Sequence, residues 1–589
     1  MKKILRAGAL VVTFLLVSII TLLPLIRSQH LYTGIDMGFH LNRAYDLAQN
    51  LKNGNPFPFV TSYAFNHLGT QVNMAYGLLT VYPLAIGLLL FKNPIMGIYF
   101  GIILLQFIQS IIVYPLAVKY FRNQSQNTRI ALIFTLVYVF SVFNLSLYIG
   151  SFSFGEVTAS IFLPLVAYGT YSILYGEDEW WYLSLGMALV LYTHLLSVLT
   201  YTVFVAVLII IATVNGDISL KKLKSFLYAV TTAILMSSFY IADFMSMFRD
   251  QKMTTAMLVS TASNELKLSN LILESFDNQT FGTFFAISII IVLVCWSKIT
   301  KNTRVFFGTG LFFLCSATPV FDVFWKCVDK TIFAMLQFPG RLLVLTNFCF
   351  ALAITEAIYI WIVSGSKKKA LLFSRYTIVT LSILISSLSW GTTFLKTNSG
   401  NVSLKKPTLS TSLPFNNYKV SASTFKYLTA ERYNGVGDKD YWPKRSSNLS
   451  YQQGEKLKIN IGYNNRKEFF AHPIPMANGA KFTLKSMDEG KIDLPFFYSK
   501  NLSVQVDQIK QPYSNSKRGT VELANVSSGN HRIKVVYKPT LLIKTAATVS
   551  IITALILLGM SMRTNLFRRL LSRTKKKEES NGTEKMALQ

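Results

Sequence analysis

Long apolar runs of about 20 residues alternate along most of the chain with short polar segments that carry Lys and Arg. A run of that length spans the hydrocarbon core of a bilayer as one helix. The first run, 7–26, follows Lys2, Lys3 and Arg6; it is too long for the hydrophobic part of a signal peptide, and no small-residue cleavage site follows. The pattern predicts a polytopic membrane protein that retains its first span.

The basic clusters orient these spans, because Lys and Arg concentrate in cytoplasmic loops. If every cluster is cytoplasmic, the spans between clusters come in pairs and both termini lie inside. The apolar stretch 75–91 is then a juxtamembrane or partly inserted helix, because a span there would place the cluster 119–129 outside. The 35-residue run 180–214 is too long for one span and is split near His194. About twelve spans are predicted in this way, at 7–26, 96–118, 130–149, 157–175, the two halves of 180–214, 225–243, 279–296, 305–319, 342–363, 371–394 and 541–562.

Between Leu395 and Thr540 the pattern changes to short alternating runs such as "KLKINIGY" and "HRIKVVYKP", separated by turn residues. Period-two alternation is typical of half-buried strands. Here 23 Lys and Arg residues stand against 10 Asp and Glu residues, a net charge of +13. This charge favours anionic partners such as envelope polymers or lipid head groups, and a merely soluble Lys-rich surface explains it equally well.

The predicted fold class is an all-α polytopic membrane domain with an extracytoplasmic β-rich domain before the last span. The predicted organisation is a transmembrane domain at 1–394 with a first outer loop at 27–95, the β-rich domain at 395–540, a final span at 541–562 and a basic cytoplasmic tail at 563–589.

Composition agrees with a membrane protein and excludes several functions. Of 589 residues, 51% are hydrophobic and 15% charged, and the mean hydropathy is +0.39. The net charge of +30 lies largely in the loops between spans, so it gives no reason to expect nucleic acid as a partner. The motifs GxxxxGK[ST], GxGxxG after a strand, HExxH and GxSxG are absent, which leaves nucleotide hydrolysis, nicotinamide chemistry and zincin or serine hydrolysis without support.

The first outer loop, "LYTGIDMGFHLNRAYDLAQNLKNGNPFP", carries the first candidate site residues. Asp36, His40 and Arg43 stand at i, i+4 and i+7, within about 60° of one another on a helix. A carboxylate there can act as general base on a hydroxyl, and the two cationic side chains can hold a phosphate. The alternative is structural, because Asp36 is also a good N-cap for the helix that follows.

Three more candidates stand at predicted outer ends of spans. Glu156, in "SFSFGEVTAS", is a carboxylate at a membrane boundary, where it is either functional or a solvated helix start. His194, in "LYTHLLS", marks a turn between spans and is either a ligand of substrate or a structural hydrogen-bonding group. Arg341 follows Pro339–Gly340 at a helix start, where it either binds an anion or extends to lipid head groups.

These segments together resemble the GT-C class of polytopic membrane glycosyltransferases. "GIDMGFHLNRAYDLA" resembles the first-loop element of that class, with Asp36 at its catalytic Asp, and "TVYPLAIGLLLF" resembles the juxtamembrane segment of the same loop. "SFGEVTASIFLPL" is similar to the element with the second acid, here Glu156, and "LYTHLLSVLTYT" resembles the split helical hairpin that follows.

A narrower likeness is to the bacterial YfhO-type membrane proteins and those related to 6-pyruvoyl-tetrahydropterin synthase. It rests on "LQFPGRLL", "THLLS" and "LANVSSGNHRIKVVYKPTLL". One departure concerns the metal: several GT-C enzymes carry a paired acid in the first loop, whereas Met37 follows Asp36 here. Metal dependence therefore stays open, with Asp36 and Glu156 as the ligands if a divalent cation, Mg²⁺ or Mn²⁺, is bound.

The resemblance implies transfer of a sugar from a polyprenyl-phosphate donor to an envelope acceptor on the outer face of the membrane. The acceptor class is an anionic envelope polymer, such as teichoic acid or polysaccharide, or a glycolipid. Asp36 and Glu156 are the implied catalytic residues, and His40, Arg43, His194 and Arg341 are the implied substrate-binding residues. The alternative is a non-enzymatic transporter or assembly protein for lipid-linked envelope polymers.

Overall fold

The computed structural model describes residues 2–32, 34–255, 259–364, 369–406, 417–429 and 439–562, so the predicted cytoplasmic tail at 563–589 lies outside the described residues. Within them, helices that are long and apolar enough to cross a membrane confirm a multi-pass membrane protein. There are eight among the described residues: Ala7–Ser28, Pro94–Tyr120, Asn127–Gly150, Phe154–Tyr175, Leu195–Val214, Pro339–Val363, Leu372–Thr397 and Leu541–Met562.

Two bent helix pairs raise the number of candidate spans in the described residues to as many as ten, if each pair forms one span. Leu220–Met236 and Ser238–Asp250 meet at 61°, and Lys301–Ser316 and Pro319–Val328 meet at 77°. The other two predicted spans correspond to apolar helices of 11 and 12 residues, Trp181–Leu191 and Thr283–Val294. At about 1.5 Å per residue these reach less than 20 Å, whereas the hydrocarbon core is about 30 Å thick. The count of twelve spans stays a prediction.

The apolar stretch 75–91 does not form one long helix. A nine-residue helix, Tyr82–Leu90, has Pro83 in its first turn and packs back against the helix Pro94–Tyr120. The chain also breaks where the split near His194 is predicted, since one helix ends at Leu191 and the next begins at Leu195. Shorter helices of four or more residues occupy other connections: Met37–Lys52, Val72–Ala75, Leu268–Phe276, Phe425–Thr429, Lys444–Ser447 and Tyr451–Lys458.

The C-terminal β region contains two antiparallel five-stranded sheets. The first sheet has the order Ile509–Lys510, Leu502–Val506, Gly529–Tyr537, Gly479–Met487 and Ile474–Met476. The second sheet has the order Ser514–Asn515, Thr520–Val526, Gly490–Phe497, Ile461–Asn464 and Lys467–Phe470. Both sheets contribute alternate apolar residues to one cluster, for example Phe482 and Val535 from the first and Leu494 and Leu523 from the second. The two sheets therefore pack face to face as a sandwich.

The sandwich packs directly on the first loop, at one end of its strands. The ring of Phe59 stacks on that of Tyr537 with centroids 5.3 Å apart, and the Phe59 N–H donates to Asn478 Oδ1 at 2.7 Å. The Phe497 N–H donates to the Leu68 carbonyl oxygen at 2.8 Å. A separate three-stranded sheet adds another link, because Leu31–Tyr32 pairs with Tyr418–Val420, which pairs with Val402–Ser403. The first loop is thus held between the membrane helices and the β region.

Candidate functional site

Asp36 occupies the N-cap position of the helix Met37–Lys52, but its side chain makes no capping hydrogen bond. Among the described residues no donor reaches its half-buried carboxylate. Its backbone N–H donates to the Ser151 carbonyl oxygen at 3.2 Å, which fixes the helix start against the loop before Glu156. The structure therefore does not support a role for Asp36 as a helix cap, and it leaves the carboxylate available.

The Asp36 carboxylate interacts electrostatically with Glu156 and Arg341. Burial raises the pKa of Asp36 to about 6, and the positive charge of Arg341 opposes that rise. Glu156, in the first turn of its helix, interacts electrostatically with both Arg341 and Asp36. Both carboxylates thus lie close enough to the Arg341 guanidinium to interact with it electrostatically, without forming an ion pair among the described residues.

Arg341 is held in place by its own helix start. Its Nη2 donates to Gln337 Oε1 at 2.9 Å, and its guanidinium carbon lies 5.5 Å from the centre of the Phe338 ring. Its Nη1 is buried and has no hydrogen-bond partner in the described part of the chain. A guanidinium that bonds to Gln337, has one buried nitrogen and interacts with two acids does not support the alternative in which Arg341 extends toward lipid head groups.

A small pocket lies between Glu156 and Arg341. Six of its eight lining residues are polar or charged, and the full lining is Glu156, His194, Leu196, Ser197, Thr200, Tyr201, Arg341 and Val344. The Tyr201 hydroxyl is buried without a hydrogen-bond partner in the described ranges. A polar pocket with an unpaired hydroxyl and an unpaired guanidinium nitrogen suits a ligand rich in hydroxyl or phosphate oxygens.

The rings of His40 and His194 both pack against the ring of Tyr76. The centroids of the His40 and Tyr76 rings are 5.5 Å apart, as are those of the Tyr76 and His194 rings. His194 Nδ1 lies 2.8 Å from Ser197 Oγ. Burial first, with Arg43 and His194 adding to it, lowers the pKa of His40 well below its usual range, so His40 is neutral. His40 therefore brings a hydrogen-bonding imidazole and no charge to the site.

Arg43 is fully buried and is already engaged with the backbone. Its Nη2 donates to the carbonyl oxygens of Tyr76 at 2.7 Å and Gly77 at 2.9 Å, and its guanidinium carbon lies 4.7 Å from the centre of the Tyr76 ring. Burial lowers the pKa of Arg43 to about 10, so it keeps its charge at neutral pH. Arg43 orders the turn that carries Tyr76, and only its unpaired Nε and Nη1 remain as donors.

Gly155 allows the helix that carries Glu156 to approach the rings of Tyr76 and His194 closely. A Cβ atom at position 155 would lie 1.8 Å from Tyr76 Oη and 2.8 Å from His194 Cδ2. Only a residue without a side chain fits between these two rings. Gly155 is therefore the reason that Glu156 can stand beside Tyr76 and His194.

The structure brings the six predicted site residues into one region, and it adds two tyrosines that sequence reasoning missed. Tyr76 is the centre of the aromatic contacts above. Tyr441, from the segment before the β-sandwich, packs against the apolar clusters of both the membrane domain and the sandwich, and it interacts electrostatically with Arg43 and Arg341. No spacing or motif distinguishes either tyrosine in the sequence.

The site offers limited means of holding a metal ion. Among the described residues there is no group of three or more His, Cys, Asp or Glu side chains placed to hold one. Asp36 and Glu156 would supply two oxygen ligands, which suits a Mg²⁺ or Mn²⁺ ion that keeps water or substrate phosphate oxygens as its other ligands. The arrangement of a free carboxylate, a fixed guanidinium and a polar pocket can take a proton from a hydroxyl and bind a phosphate without a metal.

Comparisons with known proteins give distant structural similarities. No protein-family model and no curated protein sequence matches the chain. The chain is similar to the arabinofuranosyltransferase AftD from Mycobacteria, with 12% identity and a TM-score of 0.37 over 66% of this chain and 26% of AftD. It thus spans about a quarter of the length of AftD. It is also similar to ArnT from Cupriavidus metallidurans, whose crystal structure contains undecaprenyl phosphate, with 9% identity and a TM-score of 0.46 over 89% of this chain and 98% of ArnT.

Proposed function

We propose that this protein is an integral-membrane glycosyltransferase of the GT-C type. It moves a sugar from a polyprenyl-phosphate donor to an envelope acceptor, a teichoic acid, polysaccharide or glycolipid, on the outer face of the membrane. The observation that carries the proposal is the Asp36 carboxylate, which stands at a helix start without capping it and interacts with Arg341. Transfer from a lipid-linked phosphate needs a base for the acceptor and a cation for the phosphate, and this pair supplies both.

The proposed reaction assigns each group one task. The oxygen of an acceptor hydroxyl attacks the anomeric carbon of the donor sugar, and Asp36 takes the hydroxyl proton. The bond between the anomeric carbon and the phosphate oxygen breaks, and polyprenyl phosphate leaves with the electron pair. Arg341 stabilises the negative charge that develops on the leaving phosphate. A base with a pKa of about 6 is mostly ionised at neutral pH and accepts a proton more readily than an ordinary Asp.

The remaining residues position the substrates. Glu156 is the second carboxylate, and the hydroxyls of Ser197, Thr200 and Tyr201 offer hydrogen-bond partners to the sugar. His194 borders the same pocket, while His40 and Arg43 hold Tyr76 and the turn behind it. If a divalent cation is bound, Asp36 and Glu156 would be its protein ligands, and it would add positive charge near the leaving phosphate.

Donor consumption by the purified protein tests this proposal. The protein is reconstituted in lipid nanodiscs and mixed with a panel of radiolabelled undecaprenyl-phosphate sugars and with envelope membranes as the acceptor source. Release of undecaprenyl phosphate together with label in a new product is the expected result. Asp36→Asn should reduce the rate about 10²- to 10⁴-fold, the loss typical of a general base, and Glu156→Gln, which removes the second carboxylate, should also reduce it sharply. Asp277→Asn, an exposed acid in another loop, is the matched control and should keep the wild-type rate.

Two outcomes contradict the proposal. Wild-type turnover by folded Asp36→Asn protein would mean that Asp36 is not the base. A wild-type protein that consumes no donor but moves a lipid-linked polymer across a vesicle membrane would instead be a transport or assembly protein.

A further inference from the structure

The outward face of the first sheet carries an unusual set of charges. Its inward residues alternate with exposed positions, and the exposed positions hold five cations: Lys481, Lys485, Lys510, Arg532 and Lys534. The five strands of this sheet, all of them described, contain no Asp or Glu. Two acids directly follow strands of this sheet. Asp507 forms hydrogen bonds with His531 Nδ1 and the Arg532 N–H, both at 2.8 Å, and Asp488 pairs with Lys467 at 2.8 Å.

Two of these cations stand directly opposite each other. Lys534 and Lys481 are paired positions on adjacent strands, and Arg532 faces Thr483 on the same strand pair. Like charges directly opposite on one face destabilise a sheet, because their Cβ atoms lie only about 5 Å apart. An anion that binds between the two lysines would relieve that repulsion.

Cations in and beside the second sheet of the sandwich form ion pairs with acids, unlike those on the first sheet. Ion pairs in this sheet and the segments beside it join Lys456, on the helix Tyr451–Lys458, to Glu468 at 2.6 Å, Lys467 to Asp488 at 2.8 Å, Lys491 to Glu522 at 3.6 Å and the largely buried Arg518 to Asp493 at 2.9 Å. In the described part of the chain, none of the five cations on the first sheet forms such a pair. The cationic character of the first sheet is therefore a property of that face and not of the whole region.

The direction of the strands indicates what this face would contact. The end of the sandwich that packs on the membrane domain includes Asn478 and Tyr537. Lys485 lies four residues beyond Lys481 along its strand, which is about 13 Å farther from that end at about 3.3 Å per residue. The cations thus extend away from the membrane boundary, whereas a layer of lipid head groups would meet only the near end.

We propose that the outward face of the first sheet is a docking surface for a polyanionic polymer with repeating phosphate groups. Charge complementarity selects this occupant, and the length of the cationic face favours a chain over a single lipid head group. The surface is separate from the pocket at Glu156, and its binding does not depend on the proposed transferase activity.

Binding to linear sodium polyphosphate tests the surface. Full-length protein in nanodiscs of zwitterionic lipid is titrated with fluorescent polyphosphate, and binding by the wild type should weaken steeply between about 50 and 200 mM salt. The variant K481Q/R532Q/K534Q removes three charges from the face and should reduce affinity by about tenfold or more. Its thermal midpoint should equal or exceed that of the wild type, because the like-charge pair is gone.

The second sheet and the helix Tyr451–Lys458 beside it provide the matched control. K456Q/K467Q/K491Q removes the same number of charges and should change the affinity by less than about twofold. Equal losses in the two triple variants would refute a specific surface and indicate attraction to net charge alone. Failure of the wild type to bind polyphosphate while it binds phosphatidylglycerol vesicles would also refute the proposal and favour a lipid surface.

Discussion

The backbone N–H of Asp36 donates a 3.2 Å hydrogen bond to the carbonyl oxygen of Ser151. This bond joins the start of the first-loop helix to the loop that leads into the helix of Glu156. Arg341 reaches the same place from the start of a third helix, so three distant segments of the chain meet at the two acids. The packing of the loop at Ser151 against the start of the first-loop helix therefore helps to position Asp36 relative to Glu156. A change in this packing should reduce the transfer rate before it destabilises the membrane helices.

The pH dependence of transfer should report Asp36. A general base works only when it is deprotonated, and burial raises the pKa of Asp36 to about 6. We therefore expect kcat/KM to rise with pH, to reach half of its maximum near pH 6 and to level off above about pH 7. The measurement is a pH profile of initial rates on a lipid-linked sugar, with Asp277→Asn as a control that should give the wild-type curve. A rising limb centred near pH 4 would show that the group in control is an ordinary, solvated carboxylate.

Much of the helical architecture could be predicted, because the bilayer imposes a length and a composition on every span. The break before Leu195 was predictable from the excessive length of the run 180–214. The bends in two of the candidate spans were not predictable from the sequence. A helix break at Ser237 and a turn at Pro319 change the direction of two apolar runs, and hydropathy does not indicate the direction of a helix. The packing of Phe59 on Tyr537 was equally hidden, since it joins two surfaces far apart in sequence.

The charged part of the candidate site could be predicted for an energetic reason. Acids, imidazoles and guanidinium groups at a membrane boundary are costly to bury, so Glu156, His194 and Arg341 attract attention in an apolar context. Tyrosine gives no such signal, because it is an ordinary residue at membrane interfaces and the chain has 29 of them. Tyr76 and Tyr441 could therefore be recognised only from the structure, in which Tyr76 packs against Arg43 and Tyr441 interacts electrostatically with Arg43 and Arg341.

Arg341 should be sensitive even to a conservative change. Arg offers a planar fork of donors to a phosphate, which Lys does not, and charge-assisted hydrogen bonds contribute roughly 1.5–3 kcal/mol each. We expect Arg341→Lys to weaken donor use about tenfold and Arg341→Ala about a hundredfold, measured as kcat/KM in donor titrations. Arg466→Lys, on the exposed surface of the β region, is the control. Wild-type behaviour of Arg341→Lys would instead mean that any cation suffices, as for a lipid anchor.

A single methyl group at position 155 should damage the site. In Gly155→Ala the new Cβ meets Tyr76 Oη and His194 Cδ2, and Tyr76 has little room to move because its ring is packed against Arg43 and both histidines. Overpacking of this kind typically destabilises a protein by about 1–3 kcal/mol. We expect a lower thermal midpoint and at least a tenfold loss of transfer.

Gly308→Ala is the control for that change. Its Cβ would meet no atom within 4 Å, and Ala is the better helix former in the middle of Lys301–Ser316. This variant should keep its activity and match or exceed the wild-type thermal midpoint. Full activity in Gly155→Ala would show that Tyr76 and His194 can separate without consequence.

Tyr441 links the β region to the candidate site. Its backbone has a positive φ of 59°, a conformation that bulky residues rarely adopt. Bonds on either side hold it there: Thr254 Oγ1 donates to the Lys439 carbonyl oxygen at 2.8 Å, and the Thr254 N–H donates to the Trp442 carbonyl oxygen at 2.8 Å. A strained residue that is clamped beside Arg43 and Arg341 is a candidate for positioning substrate.

Tyr441→Phe should therefore raise the KM for the donor about two- to tenfold, with kcat and the thermal midpoint nearly unchanged, because one neutral hydrogen bond contributes about 0.5–1.5 kcal/mol. Tyr441→Ala should lose more, since the ring also packs against both apolar clusters. Tyr451→Phe, with the residue 74% exposed, removes a hydroxyl from the same region and should leave KM at the wild-type value. If Tyr441→Phe matches the wild type in KM while Tyr441→Ala only lowers the thermal midpoint, the ring is a spacer between the two parts of the protein and its hydroxyl takes no part in binding.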